Sequence, residues 1–478
     1  MLLFVALAAA APPPLEEEPL RDVARRAVEE WKIAPGVVIG WVSPKGSGVV
    51  GWGDSGDPAR PMVDAHTAFE IGSITKVFTT LLLADMVERG EVGLDEPLSG
   101  FAPKGTVFAS NRVANTTLAK LATHTSGLPR LAPTFRTFAG VVLSRGNPYR
   151  GMTTDTVWAH ASGVGDSFLS EGHAYSNLGV AVLGQALAAR AGVPYTTLVS
   201  ERLLAPLGMS GSGFLVVSGP VARGHGVNHI PVPAWNIGGF AACGGLLSPG
   251  EDLLRFLAAN LNETAPGAAL AHRARVEISE KSAIGLGWFT AERNGKSITW
   301  HNGGTGGFRT WLGFDAARGT GVFVLANAEH SVDMLGGWLL GANRSPKPPE
   351  VSLTSFGPLT ALVAYGLGLV GLLAVDTGRS PRLGRFGGWL LGTGRRVAAS
   401  RLYGVICMLA IFTTLFDFRA APSWLVAMAM LVAITSQVWL LWRAWATASP
   451  PIGPIARVWT VVTFALLGWF ALVAPWWG

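Results

Sequence analysis

The sequence predicts an α+β globular domain followed by an all-α membrane domain of about four helices. Two observations carry this prediction. Strand-like segments lie near both ends of the first 330 residues with helical patterns between them, and four long apolar stretches follow residue 355. A sheet that combines N-terminal and C-terminal strands around a helical insertion fits the first pattern and belongs to the α+β class.

The individual elements follow from hydrophobic periodicity and from the residues that end each segment. Apolar residues recur at helical spacing in residues 20–32, and Pro35-Gly36 ends that pattern. A hairpin, a long helix and two C-terminal strands are expected further along the chain. Their predicted bounds are Gly36–Val42, Ser47–Trp52, Ser73–Arg89, Ser297–His301 and Gly321–Asn327.

The four apolar stretches predict transmembrane helices over residues 356–375, 402–416, 422–442 and 458–477. Three of them reach the roughly 20 residues that cross a ~30 Å hydrocarbon core. Loops 376–401 and 443–457 together carry eight Arg, whereas loop 417–421 carries one. Because Lys and Arg accumulate on the cytoplasmic side, we expect the two Arg-rich loops in the cytoplasm and the N-terminal domain outside, in the periplasm or at the cell surface.

The remaining boundaries follow from local composition. An apolar run from Leu2 to Ala11 has the length of the hydrophobic part of a signal peptide. A Pro-rich segment begins at Ser345 and is typical of a linker. We therefore predict four parts, which are a leader (1–18), a hydrolase-sized domain (19–344), a linker (345–355) and a membrane region (356–478) that contacts lipid.

Charge and cysteine usage exclude several functions. The net charge is +6, but residues 356–478 alone carry +7, so the first 355 residues carry about −1 and offer no basic footprint for nucleic acid. The two cysteines, Cys243 and Cys407, are expected to be small buried side chains and not a disulfide. No metal-ligand motif occurs among the nine His, so we expect neither a metal nor another cofactor.

The first candidate for chemistry is Ser73, followed three residues later by Lys76 in Ile71-Gly-Ser-Ile-Thr-Lys76. A serine hydroxyl becomes a strong nucleophile when a neighbouring base takes its proton. A spacing of three on a helix places both side chains on one face. The pair is weak evidence alone, because Ser-x-x-Lys occurs by chance in a chain of this length.

Two further motifs strengthen the case, namely Tyr175-Ser-Asn177 and His301-Asn-Gly303. With these three motifs in order, residues 20–330 resemble the serine β-lactamase and penicillin-binding-protein superfamily, in its branch of class C enzymes, D-alanyl-D-alanine carboxypeptidases and esterases. Similar stretches occur at Gly90–Leu98, Leu121–Pro129 and Gly238–Ser248. The resemblance implies an antiparallel sheet flanked by helices, with a helical subdomain.

The resemblance also implies roles for the motif residues. Ser73 attacks the carbonyl carbon, and Lys76 and Tyr175 share the proton relay. Asn177 holds Lys76 and the substrate amide. The backbone amides of Ser73 and Gly304 form the oxyanion hole, next to Gly303 in the third motif. His124 and Ser126 are expected to fix a loop near the site, and Arg309 is expected either to meet a substrate carboxylate or to face solvent.

His301 stands where many relatives carry Lys, and this widens the range of expected substrates. A Lys favours substrates with a carboxylate, whereas a His with a pKa near ~6.5 is largely neutral at pH 7. We expect an extracytoplasmic hydrolase of β-lactams, D-amino-acid peptides or related amides and esters. Two alternatives stay open, a maturation peptidase that removes an N-acyl-D-amino-acid group from a secreted metabolite and a sensor of penicillin or cell-wall fragments.

Overall fold

The computed structural model describes residues 11–132, 147–226 and 229–346. The chain divides into two units, Met1–Pro349 and Glu350–Gly478, and all described residues belong to the first. Within these ranges no helix has both the length and the apolar character needed to cross a bilayer. The four predicted membrane spans, their loops, Cys407 and the first ten residues of the predicted leader lie outside the described residues.

An eight-stranded antiparallel sheet forms the main layer, in the order β2-β1-β11-β10-β9-β8-β7-β6. Its strands are β1 (Gly36–Ser43), β2 (Gly46–Gly53), β6 (Val276–Ser279), β7 (Ser282–Ile284), β8 (Phe289–Arg293), β9 (Lys296–Gly304), β10 (Arg309–Asp315) and β11 (Thr320–Ala326). The N-terminal hairpin β1-β2 pairs with the C-terminal strand β11, so both ends of the domain share one sheet. The predicted fold class is therefore confirmed for this domain.

The central strands are apolar on both faces because helices cover the sheet on both sides. In β1, Val37 and Ile39 face one core cluster, whereas Val38 between them faces the other. Helix α1 (Glu17–Glu29) covers the first face and α8 (Gly250–Leu261) covers the second. This alternation follows from the two-residue period of a strand, and it explains the near-continuous apolar run in β1.

The helical part lies in the chain between β3 (Ala68–Glu70) and β5 (Leu246–Pro249). Strand β5 pairs with β3 on one side and with β4 (Gly213–Phe214) on the other, in a second, three-stranded sheet. The other described helices are α2 (Thr75–Glu88), α3 (Asn111–Ala114), α4 (Leu118–Ala122), α5 (Thr154–Ser162), α6 (Asn177–Ala191), α7 (Tyr195–Val199), α9 (Ala268–His272) and α10 (Asp333–Leu339). Helices α2 and α6 are buried along most of their length, so they form the centre of this part.

Most predicted elements are present with shifted ends. The predicted helix 20–32 spans Glu17–Glu29, so it begins inside the range predicted as leader. The long helix predicted from Ser73 begins at Thr75, because a 3₁₀ turn over Gly72–Ile74 precedes it. From Thr75 to Met86 every residue of this helix is buried.

Candidate active site

Ser73 lies on the 3₁₀ turn that links β3 to α2, and its side chain is partly exposed. Gly72 has φ +53°, and a Cβ at this position would lie 2.6 Å from the backbone nitrogen of Gly304. Only glycine combines this left-handed conformation with so close an approach. The turn therefore presents the Ser73 hydroxyl directly beside the end of strand β9.

Lys76 follows one helical turn later, and its side chain is fully buried. Its Nζ lies 2.9 Å from Ser73 Oγ and donates a second hydrogen bond of 2.6 Å to the carbonyl of Cys243. That carbonyl ends the glycine-rich 3₁₀ segment Gly238–Cys243, which the sequence places in a family-like stretch. Lys76 thus has a fixed position next to the nucleophile, as the Ser-x-x-Lys spacing predicts.

Tyr175 faces Lys76 from the other side. Lys76 Nζ lies 4.9 Å from the centre of the Tyr175 ring, and the Arg130 guanidinium carbon lies 5.4 Å from it. Cations at these distances are attracted to the ring face. Two positively charged groups therefore lie close to the Tyr175 ring.

His124 holds the Tyr175 segment in place. Its ring centre lies 4.4 Å from that of Tyr175, its carbonyl accepts a hydrogen bond from Ala174 N, and its Nδ1 accepts one from Ser176 N. Burial is the main cause that lowers the pKa of His124 well below its usual value, followed by the positive charge of Lys76. The expected supporting role of His124 is confirmed. Ser126 has a local role, because its Oγ accepts a hydrogen bond from Leu128 N.

Asn177 lies at the start of helix α6, but its partner differs from the expected one. Its Nδ2 donates a 2.7 Å hydrogen bond to the hydroxyl of Tyr149, and its buried Oδ1 has no partner among the described residues. The hydrogen bonds of Lys76 Nζ within the described residues go to Ser73 Oγ and to the Cys243 carbonyl. The role expected for Asn177, holding Lys76 and the substrate amide, stays a prediction. Tyr149 has no recognisable sequence signal, since only the fold brings it to Asn177.

His301 lies on β9 opposite Leu312, and it is fully buried. Its Nδ1 is 2.6 Å from the carbonyl of Asn302, so Nδ1 carries the proton, and its buried Nε2 has no partner among the described residues. Burial first and then the charge of Lys76 lower the pKa of His301 to about 3. The third motif therefore presents a neutral imidazole, and not the positive charge that a Lys supplies.

Gly303 and Gly304 bring β9 against the nucleophile turn. A Cβ on Gly303 would lie 2.0 Å from the carbonyl oxygen of Ile71, and Thr310 Oγ1 donates a 2.8 Å hydrogen bond to the same oxygen. Gly304 is exposed, and its amide nitrogen lies beside Gly72. The amides of Ser73 and Gly304 thus lie on two adjoining segments, as an oxyanion hole requires.

Arg309 stabilises the connection between β9 and β10. Its Nη1 donates hydrogen bonds of 2.7 Å and 2.8 Å to the carbonyls of Thr305 and Phe308. It lies 3.9 Å from Glu329, and its side chain is 23% exposed. The Nη1 atom of Arg309 thus serves the turn, and the choice between the two roles that the sequence leaves open stays a prediction.

Glu70 is a feature that sequence reasoning missed. It lies three residues before the nucleophile, it is 6% exposed, and its Oε1 accepts a 2.7 Å hydrogen bond from Trp235 N. Burial raises the pKa of Glu70 to about 7, and Thr305 and the Trp235 amide act in the opposite direction. An acidic residue inside the apolar run Ala68–Ile71 was the available signal.

Metal ligation has no support in the part of the chain that the structure describes. No group of three or more His, Cys, Asp or Glu side chains within it is placed to hold a metal ion. Cys243 is a buried free cysteine, and burial raises the pKa of its thiol.

The fold and the site together define a serine hydrolase that combines an eight-stranded antiparallel sheet with a Ser-x-x-Lys nucleophile. The chain belongs to the beta-lactamase family, whose sequence profile matches residues 24–343. The D-alanyl-D-alanine-carboxypeptidase/endopeptidase AmpH of Escherichia coli is 29% identical over 288 residues, which cover 56% of this chain and 73% of the relative.

Two solved structures show the same fold. The octameric penicillin-binding protein homologue from Pyrococcus abyssi aligns with a TM-score of 0.58 and 25% identity, over 72% of this chain and 80% of that one. The beta-lactamase/D-alanine carboxypeptidase from Yersinia pestis, complexed with citrate, aligns with a TM-score of 0.55 and 25% identity, over 66% of this chain and 93% of that one.

We predict that Gly303→Ala lowers the rate at which Ser73 reacts with a fluorescent fluorophosphonate by about a hundredfold. The added methyl group would meet the Ile71 carbonyl and push β9 away from the nucleophile, and a shift of about 1 Å in a catalytic site can cost this factor. Gly100→Ala is the matched control, because nothing lies within 4 Å of its added carbon. Equal rates in the two variants would contradict the prediction.

We also predict that His301 makes the folded state sensitive to acid. Below pH ~6.5 an exposed imidazole binds a proton, whereas the buried one stays neutral down to a pH of about 3. The contribution of His301 to stability is therefore complete above pH ~6.5 and falls as the pH falls towards 3. In urea unfolding of the full chain, His301→Gln should make the free energy of unfolding less dependent on pH between about 3 and ~6.5.

His66→Gln is the control for this measurement. A hydrogen bond from His66 Nδ1 to the Glu251 carboxylate raises the pKa of His66, so the contribution of His66 is present at low pH and fades as the pH rises through that pKa. The two variants should therefore change the pH dependence of unfolding in opposite directions. The same change in both variants would rule out the assignment of a neutral, buried His301.

Proposed function

We propose that this protein is a membrane-anchored extracytoplasmic hydrolase that forms an acyl-enzyme at Ser73 with β-lactams, D-amino-acid peptides or related amides and esters. The observation that carries the proposal is the 2.9 Å contact between Lys76 Nζ and Ser73 Oγ, with Tyr175 on the far side of the ammonium. The names of the relatives, a carboxypeptidase/endopeptidase among them, support this range of substrates.

In the acylation step, Ser73 Oγ forms a bond to the substrate carbonyl carbon. Its proton passes to the Lys76 and Tyr175 pair, and Tyr175 delivers it to the leaving nitrogen or oxygen as the old bond breaks. The amides of Ser73 and Gly304 donate to the oxyanion. Water then attacks the ester, its proton enters the same pair, and Ser73 Oγ recovers its hydrogen when the acid product leaves.

The chemistry of the third motif bears on the choice among these substrates. His301 is neutral and buried, and Arg309 donates to backbone carbonyls. Neither side chain replaces the exposed Lys that would pair with a substrate carboxylate. Uncharged amides and esters are therefore the best substrates in this proposal, ahead of substrates that depend on a free carboxylate.

The proposed location depends on the sequence beyond residue 355. Four apolar stretches and the Arg-rich loops between them support anchorage by the C-terminal region, with the hydrolase domain on the outer side. That side of the membrane offers peptides that contain D-amino acids. A polar cell-wall fragment would reach the site there without crossing the bilayer.

The test uses the full chain in bacterial spheroplasts and a fluorescent penicillin that does not cross membranes. We expect a covalent adduct on Ser73 in the membrane fraction, and no adduct in Ser73→Ala. Conversion of a p-nitrophenyl ester and of a D-Ala-D-Ala peptide is measured on the same purified proteins. If the wild type gives neither an adduct nor turnover of either substrate, the proposed reaction is wrong. Labelling only after lysis would overturn the proposed location.

We further predict that His301→Lys shifts the selectivity of the enzyme. A positive charge at this position adds a charge-assisted hydrogen bond to a substrate carboxylate, worth roughly 1.5–3 kcal/mol, or about tenfold or more in kcat/KM. The ratio of kcat/KM for a D-Ala-D-Ala peptide to that for its amidated form should rise by this factor. His301→Gln is the neutral control and should leave the ratio within about twofold, and an equal rise in both variants would refute the charge argument.

A further inference from the structure

Glu70 is a buried acid that the proposed reaction does not use, yet it lies in the wall of the site. It ends strand β3, it pairs with Leu247 across the small sheet, and it precedes the nucleophile by three residues. Acidic side chains are rarely buried without a specific partner. Its contacts therefore need an explanation beyond packing.

The first contact is with the segment that precedes the glycine-rich 3₁₀ turn. Trp235 N donates a 2.7 Å hydrogen bond to Glu70 Oε1. The Trp235 ring packs edge to face with Tyr149 at 5.7 Å, and Tyr149 accepts the hydrogen bond from Asn177. A Cβ on Gly306 would lie 2.4 Å from the Trp235 indole nitrogen. Through Trp235, the Glu70 carboxyl is thus linked both to Tyr149, which contacts Asn177, and to Gly306, which follows strand β9.

The second connection runs through the Trp235 ring to the loop that follows Gly304. The Trp235 indole nitrogen lies against Gly306, two residues after Gly304. Arg309 Nη1 donates a 2.7 Å hydrogen bond to the Thr305 carbonyl in the same loop. The loop is therefore fixed by the Trp235 ring and by the Arg309 guanidinium, directly after the proposed oxyanion amide.

We propose that Glu70 is a positioning residue whose carboxyl anchors the Trp235 segment, against which Gly306 packs, and so holds Gly304 against the Ser73 turn. The inference rests on the proposed function, because it assigns Glu70 to the oxyanion side of that site. Glu70 acts through these neighbours and touches no reacting atom.

The neutral form of Glu70 suits this position better than the ionised form. A negative charge behind the oxyanion hole would oppose the negative charge that develops on the substrate oxygen. Burial favours the neutral form, and no neighbouring charge is among the causes of its raised pKa. Arg223 lines the same cavity of about 520 Å³, and Arg309 lies beyond Thr305, while β5 offers only Leu247 opposite. Ionisation near pH 7 should therefore lower the rate.

The experiment compares three full-chain variants on the ester substrate from pH 6 to pH 8. Glu70→Gln keeps a hydrogen-bonding amide but cannot ionise, Glu70→Leu keeps the approximate size without the polar group, and Asp315→Asn is the control. Asp315 is also a buried acid, but it binds Arg318 at the far end of β10. Thermal unfolding and Ser73 labelling are measured for each variant.

We expect Glu70→Gln to match the wild type within about threefold at pH 6 and to exceed it by up to about tenfold at pH 8, since only about one-tenth of Glu70 is then neutral. Glu70→Leu should lower kcat at least tenfold and change KM less than threefold. Asp315→Asn should keep the wild-type pH profile.

Three results would overturn the inference. The first is a ratio of the Glu70→Gln rate to the wild-type rate that stays constant across the pH range. The second is a kcat for Glu70→Leu within twofold of the wild type. The third is a pH profile of Asp315→Asn that changes as much as the profile of Glu70→Gln. If Glu70→Leu unfolds, the Glu70→Gln profile decides alone. If Ser73 of the wild type is labelled and any of these results is found, only the role of Glu70 is refuted. If the wild type shows neither labelling of Ser73 nor turnover of the ester, the proposed function is refuted as well.

Discussion

The contact between strand β9 and the turn that carries Ser73 is the constraint on which the rest of the site depends. Gly72 and Gly303 lack side chains where backbone meets backbone, and Thr310 Oγ1 fixes the Ile71 carbonyl between them. The nucleophile belongs to the helical part, whereas the amide of Gly304 belongs to the large sheet. The two halves of the proposed oxyanion hole can therefore meet only if these two layers pack at backbone distance.

Electrostatics then divides the site into two sides. Lys76, Arg130 and Tyr175 form a positively charged side, and the same charge contributes to the low pKa values of His124 and His301. The other side contains Glu70, whose pKa is raised to about 7 by burial. In the proposed reaction, proton transfer belongs to the first side and charge stabilisation to the second, which matches the needs of acyl transfer.

The sequence predicted the parts of this arrangement that depend on local spacing. Ser73 and Lys76 lie together because of their spacing of three residues, whereas Tyr175 and Gly304 were expected beside them because of the resemblance to the superfamily. The shared sheet of β1 and β11 also followed from strand patterns near both ends of the domain. Asn177 was expected near the site, but its hydrogen bond to Tyr149, 28 residues away in the chain, was not predicted. Pairings of this kind depend on tertiary packing and leave no periodic signal.

His301 and Glu70 show why charge is harder to predict than position. The residue types alone suggest an imidazole that can titrate near neutral pH and an acid that is ionised at pH 7. Burial reverses both expectations, since it removes the water that stabilises a charged side chain. The third motif therefore presents a neutral imidazole where a Lys would place a cation. The substrate preference that we propose depends on this burial as much as on the motif itself.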